Sequence, residues 1–333
     1  MTSFRGPRTT GIAASPDQTI AIALEDVSKT FPGSDVAAVD RLSLEIPRGE
    51  LVVFVGPSGC GKTTTLRLIN RLEAPTTGRI TIDGADVGDT PPDVLRRGMG
   101  YVIQNVGLFP HRTIEANIAT VPKLLGWPKA KIRARVRELV DLVDLDPALL
   151  KRYPAALSGG QQQRVGVARA LAVDPPILLM DEPYSAVDPV VRAHLQDELV
   201  SLHQRLGTTI VVVTHDIDEA IRIADRIAVF AIGGRLAQYA TPDELLRVPA
   251  DDFVESFLGG DRALRRLGLI PLKNVERQAV HGAGTGRPQL DLGHTARDAL
   301  DALLASGADS VIVCDDGMVV GEITMAELTA AIL

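Results

Sequence analysis

The segment Gly56-Pro57-Ser58-Gly59-Cys60-Gly61-Lys62-Thr63 has the spacing G-x-x-x-x-G-K-[ST], a pattern suited to gripping a polyphosphate. Glycines let successive backbone N–H groups turn toward one anion, and a following helix adds its positive N-terminal end. Lys62 supplies a point charge for the outer phosphates, and Thr63 offers a hydroxyl to Mg2+. Thr64 continues the same grip into the helix. A second candidate is the apolar run Ile177–Met180, which ends in Asp181-Glu182. A buried strand delivers carboxylates at its C-terminal end, where α/β sheets bind ligands. Asp181 is then a candidate for holding Mg2+, and Glu182 for taking a proton from an attacking water. A third candidate is Ser158-Gly159-Gly160-Gln161, a Ser/Gly helix start whose N–H groups suit an anion.

Several elements must position these groups. Ile20–Asp26, Leu42–Ile46 and Arg79–Ile82 read as short strands bounded by turn residues. Leu51–Val55 is a continuous apolar run, as expected of a strand buried on both faces. Lys62–Leu72 then carries helical periodicity. The stretch 114–143 reads as largely helical, and Lys131–Val143 is amphipathic, with Ile132, Val136, Leu139, Val140 and Val143 on one side. Ile210–Thr214 is another buried strand. Alternating strands and helices imply an α/β core with a parallel sheet. Asp251–Leu258 reads as the last helix of this large domain.

Composition narrows the function. Of the 333 residues, 45% are hydrophobic and 23% charged, as in an ordinary globular protein. A formal net charge of −7 argues against a general nucleic-acid binder. Two cysteines, Cys60 and Cys314, cannot build a disulfide framework or a four-thiolate zinc site. No apolar run reaches the roughly 18 residues that span a bilayer. Any membrane function must then come through partner subunits.

Leu157-Ser158-Gly159-Gly160-Gln161 resembles the LSGGQ signature of ABC-type ATPases, with Gly56–Thr63 as Walker A and Ile177–Glu182 as Walker B. The resemblance extends in order along residues 20–258. Gln104 corresponds to the Q-loop glutamine, near metal and attacking water. Asp188, in Ser185-Ala186-Val187-Asp188, corresponds to the D-loop aspartate that communicates across a dimer. His215 corresponds to the switch histidine, and Phe31 to the aromatic that stacks on adenine. The resemblance implies an ABC-type P-loop NTPase fold: a parallel-sheet core, an N-terminal antiparallel β subdomain and an inserted helical subdomain. It implies an ATP hydrolase that uses Mg2+. Asp181, Thr63 and Gln104 serve the metal, and Glu182, His215 and Gln104 the chemistry. It also implies two copies, because the signature segment of one closes over ATP held by the other.

Gly100–Pro110, Val121–Trp127, Arg152–Pro183 and Thr214–Ala220 are similar to the ATPases of glycine betaine/carnitine/choline importers. That implies integral membrane permease subunits, an extracytoplasmic solute-binding protein reached through the complex, and a place on the cytoplasmic face of the cell membrane. The alternatives are an importer for another small polar solute, such as an amino acid, and a soluble ABC ATPase outside transport. Against the latter, the interval before the signature lacks a coiled-coil heptad run, and the chain has one Walker A loop.

The expected division is a flexible extension at 1–19, the ATPase at 20–260, a linker at 261–290 and a small α+β domain at 291–333. The last resembles one CBS repeat: helix Ala296–Ala305, strand Ser310–Cys314, turn, strand Met318–Ile323, and a capping box at Thr324–Glu327. Repeats of that kind pair, so pairing between two copies is the favoured expectation, and a vestigial tail the alternative. Arg262, Arg265, Arg266, Lys273 and Arg277 precede it and read as a solvated face rather than a lipid contact.

Overall fold

A computed structural model describes residues 19–104, 106–185, 187–280 and 286–332. Residues 1–18 of the expected extension and 281–285 of the HGAGTGRP stretch lie outside the described residues. Two compact units divide between Thr241 and Pro242.

The first unit opens with β1 (Ile20–Lys29) and β2 (Val39–Pro47), which pair antiparallel. The strand β3 (Leu51–Val55) is wholly buried, as its unbroken apolar run requires. It feeds the glycine loop and then α1 (Lys62–Ile69). Next come β4 (Thr77–Ile82), β5 (Ala85–Asp86), α2 (Pro92–Arg97) and β6 (Met99–Val102). The helical insertion holds α3 (Ile114–Ile118), α4 (Thr120–Leu124), α5 (Lys129–Leu142) and α6 (Gly159–Ala170). The chain returns through β7 (Ile177–Asp181), α7 (Pro189–Leu206), β8 (Thr209–Val213), α8 (Ile217–Ile223), β9 (Arg226–Ala231) and β10 (Arg235–Ala240).

One sheet has the order β2-β1-β4-β5 and is antiparallel. The other runs β10-β9-β3-β8-β7-β6, parallel except for the edge strand β10. Phe54 of β3 meets Phe230 of β9, ring centroids 5.1 Å apart, inside a core shared by both sheets. The parallel order brings the C-terminal ends of β3, β7, β8 and β6 to one rim, where α/β sheets bind ligands. This is the architecture the sequence implied.

The second unit contains α9 (Pro242–Arg247), α10 (Asp252–Leu258), α11 (Arg262–Leu269), β11 (Gln289–Asp291), α12 (Ala296–Ser306), β12 (Ser310–Asp315), β13 (Met318–Thr324) and α13 (Met325–Ile332). Its sheet is β11-β12-β13, with β11 parallel and β13 antiparallel to β12. At the start of α13, Glu327 accepts from the Thr324 N–H at 2.8 Å, and Thr324 Oγ1 accepts from Ala326 N–H at 3.2 Å.

Two boundaries differ from the expected ones. The unit break falls at 241, not 260, so α9 and α10 belong with the smaller unit. The expected linker begins with a helix, and Leu267, Leu272 and Val275 are buried in the same cluster as Ala299 and Val313. Each such burial is worth roughly 1.5–3 kcal/mol, which an exposed connector would forgo. Arg266 pairs with Asp243 at 2.9 Å and Arg262 with Glu255 at 2.5 Å. Arg265 and Arg277 donate to the Leu258 and Leu272 carbonyls, so these four basic residues are engaged inside their own unit rather than forming a freely solvated face.

Candidate active site

The loop after β3 turns on three glycines at positive φ: Gly56 (149°), Gly59 (77°) and Gly61 (93°). Gly56 and Gly61 are also pressed against backbone. A Cβ on Gly56 would lie 2.3 Å from the Phe230 carbonyl oxygen, and one on Gly61 2.2 Å from that of Ala38. Lys62 is buried, its Nζ donating to the carbonyls of Gly56 (2.7 Å) and Pro57 (3.0 Å) and lying 3.5 Å from Cys60 Sγ. The side chain bends back over the loop, so its charge sits at the centre of the cradle. Pro57, Ser58 and Thr64 line this turn, with Ser58 exposed.

Beside the cradle, Thr63 Oγ1 donates to Asp181 Oδ1 at 2.8 Å. Burial pushes the Asp181 carboxyl up, and the Thr63 hydroxyl partly holds it down. A buried carboxylate and a hydroxyl side by side form a hard-oxygen donor pair, the chemistry Mg2+ selects. The residues therefore fit that ion.

The next residue, Glu182, adopts φ +45°, the left-handed region that a non-glycine side chain enters at a cost of about 1–3 kcal/mol. Its N–H donates to the Val213 carbonyl at 2.9 Å. Both carboxylate oxygens have partners: Gln104 Nε2 donates to Oε2 at 2.9 Å, and His215 Nδ1 lies 3.4 Å from Oε1. The expected trio of Glu182, Gln104 and His215 is brought together from the ends of β7, β6 and β8. His215 and Gln104 are exposed, so the trio faces solvent.

Other expected residues stand apart from this cluster. Ser158 caps α6: its Oγ accepts from Gln161 N–H at 3.3 Å, while Gln161 Oε1 accepts from Ser158 N–H at 3.0 Å. Ser158 and Gly159 are exposed, Gly160 is buried, and among the described residues no hydrogen bond of this segment reaches the glycine loop. Asp188 caps α7 through the Val191 N–H at 3.1 Å. Phe31 is half-buried after β1, with the Lys29 ammonium 4.9 Å above its ring. Ala38, in the same β1–β2 connection, touches Gly61 and Gly234, which carries that connection onto the cradle.

Sequence reasoning assigned nothing to Glu219. It is buried on α8 and accepts from Thr214 Oγ1 at 3.1 Å. Burial pushes it up to about 7 from 4.5, with Asp216 and Glu182 adding to the rise and Thr214 and Arg192 opposing it. A carboxylate between Ile217, Ala220 and Ile221 on a short apolar helix was the available signal. Below about pH 4.5 the group is protonated folded or unfolded. As pH rises toward about 7 the unfolded chain has released the proton that the folded one still holds, so stability falls, and the loss is complete above that value. Glu219→Gln keeps the shape without the charge. Its melting temperature relative to the parent is expected to rise between about pH 5 and about pH 8; a constant difference would show that Glu219 carries no such penalty.

A glycine cradle, a hard-oxygen pair and an adjacent carboxylate on one rim of a parallel sheet define a P-loop nucleoside triphosphatase. Comparison places it more closely. The ABC transporter family model matches residues 39–185. The choline transport ATP-binding protein OpuBA of Bacillus subtilis is 48% identical over 89% of this chain and 76% of its own length. The glycine betaine/carnitine/choline transport ATP-binding protein OpuCA of the same organism is 54% identical over 88% of this chain and 75% of its own. A dimeric ATP-binding cassette solved in a post-hydrolysis state with ADP and Pi is 35% identical, with a TM-score of 0.60 over 66% of this chain and 98% of that one. The chain belongs to the ABC transporter family, as an ATP-binding subunit of the kind that couples ATP hydrolysis to transport. Among the described residues no helix is long and apolar enough to cross a membrane.

Proposed function

We propose that this chain powers import of a quaternary-amine osmoprotectant such as glycine betaine, carnitine or choline. Support for the cargo comes from the two relatives, at 48% and 54% identity over most of the chain. Two copies work together on the cytoplasmic face of the membrane, docked on integral permease subunits that receive solute from an extracytoplasmic binding protein.

The observation that carries the chemistry is Glu182, held between Gln104 and His215 next to the Thr63–Asp181 pair. The glycine loop and Lys62 bind the phosphates of ATP. Phe31 stacks on the adenine. Thr63 and Asp181, with Gln104 beside them, would hold Mg2+, which would supply neutralising charge for the transferred phosphoryl group. Glu182 accepts the proton of the attacking water. Gln104 and His215 orient its carboxylate and fix where that water sits. Ser158–Gln161 of the second copy supply N–H groups at a helix start to the terminal phosphate, and Asp188 reports across the two-fold. The capping box fixes the helix start, with the Ser158 and Gln161 N–H groups used inside it and those of Gly159 and Gly160 left for phosphate.

The assembled transporter, purified with its permease and receptor subunits and reconstituted in vesicles, tests the reading. ATP-dependent accumulation of labelled glycine betaine, choline or carnitine is expected. Accumulation of an amino acid and none of these would replace the cargo. The segment 291–333 within the smaller unit, which resembles one CBS repeat, is proposed to pair with its copy and regulate transport. Removal of that unit belongs after Thr241, where the units divide; unchanged response to ionic strength would end that regulatory role.

A further inference from the structure

The pair Glu182–His215 is also tied together from behind, by a closed circuit of contacts. The Glu182 carbonyl accepts from the Ser185 N–H at 3.3 Å and from Ser185 Oγ at 3.0 Å. The Tyr184 carbonyl accepts from the Val187 N–H at 3.1 Å. Arg192, one turn into α7, donates from Nη2 to the Val187 carbonyl at 3.1 Å. Its Nη1 lies 3.8 Å from Asp216 Oδ2. Asp216 N–H donates to Thr214 Oγ1 at 3.1 Å, and that hydroxyl donates on to Glu219. His215 lies between Thr214 and Asp216, so the circuit closes through its contact with Glu182.

Apart from the Glu182–His215 contact itself, Arg192 is the side chain in this circuit that spans from the loop after β7 to the turn after β8. We propose that Arg192 is a positioning residue for hydrolysis, holding the His215 turn in register with the loop that follows Glu182. Its forked guanidinium suits that role, since one arm takes a backbone carbonyl and the other faces a carboxylate. Two further observations fit. Arg192 Nε and Glu219 Oε1 are both buried and, among the described residues, without a hydrogen-bond partner. The guanidinium charge also opposes the burial that raises Glu219. A cation needed only to attach α7 to α8 would be redundant, because Arg222 already makes a two-pronged pair with Asp197 between those helices at 2.8 and 2.9 Å.

The inference rests on the reading of Glu182 and His215 as the reacting pair, so the test runs four full-length chains in parallel. Arg192→Met is expected to lower kcat for ATP about 10- to 100-fold, the scale of a small misplacement of reacting groups. KM is expected to stay within about twofold, because the cradle is untouched. Arg192→Lys, which keeps the charge but not the fork, should fall between Arg192→Met and the parent. Arg222→Met, which cuts the other link between the same helices, should keep the parent kcat. Glu182→Gln should lose turnover. A parent-like kcat in Arg192→Met beside an inactive Glu182→Gln overturns the inference alone. So does an equal loss in Arg222→Met, which would reduce Arg192 to helix attachment. Normal turnover in Glu182→Gln would instead overturn the reading beneath it.

Discussion

Glu182→Gln is expected to lower ATP turnover about 10²- to 10⁴-fold, the range lost with a general base, while ATP still binds. An amide has the shape of the carboxylate but cannot take a proton from water. The groups proposed to hold the nucleotide, namely the glycine loop and Lys62 for phosphate and Thr63 and Asp181 for the metal, do not depend on that charge. The left-handed φ of Glu182 is held by backbone contacts to Val213 and Ser185, so the substitution should not relax the turn. With hydrolysis stalled, Mg-ATP should accumulate a closed pair of chains, visible by size-exclusion chromatography, while phosphate release falls. A variant that released phosphate at the parent rate would remove Glu182 from its role. An inactive variant that stayed monomeric under saturating Mg-ATP, alone and on its membrane subunits, would remove the shared site.

The second large effect concerns the cradle. Gly61→Ala should destabilise the chain by roughly 2–4 kcal/mol, the sum of backbone strain and overpacking, and abolish tight nucleotide binding. At φ +93° a side chain is already strained, and its Cβ would stand 2.2 Å from the Ala38 carbonyl oxygen. Gly234 also lies beside that carbonyl, where a Cβ added at Gly234 would stand 2.3 Å from it. The loop must shift, and with it the N–H groups aimed at phosphate. Gly59→Ala separates strain from crowding: φ is +77°, yet nothing lies within 4 Å of the added carbon. Its cost should be nearer 1 kcal/mol, the figure for a lone left-handed residue. Urea unfolding and titration with a fluorescent ATP analogue would measure both. Equal effects at the two positions would show that contact with Ala38 is unimportant.

Much of the site was readable in the residues. Gly56–Thr63 and Ile177–Glu182 carry their meaning locally, because a cradle is a matter of consecutive N–H groups and a strand end is a matter of an apolar run that stops. The Ser158–Gln161 cap follows from four adjacent residues. Arg192 was not readable, and Glu219 only faintly. Each gains its place from contacts with segments more than 15 positions away or from burial, and a lone arginine or glutamate on a helix looks like a solvated charge. The expected linker failed for a related reason. Gly259-Gly260 resembles a break, but Leu267, Leu272 and Val275 are buried in a cluster with residues drawn from 290–332.

By itself, then, the chain of residues determined many of the strands and helices, the phosphate loop, the acidic strand end and the family. These depend on periodicity and on neighbours a few positions apart. Only the tertiary structure decided which ends meet on one rim, that Glu182 sits in a left-handed turn between Gln104 and His215, and where one unit stops and the next begins. Those outcomes arise from pairing and burial between distant segments, whose energies no local window of sequence contains.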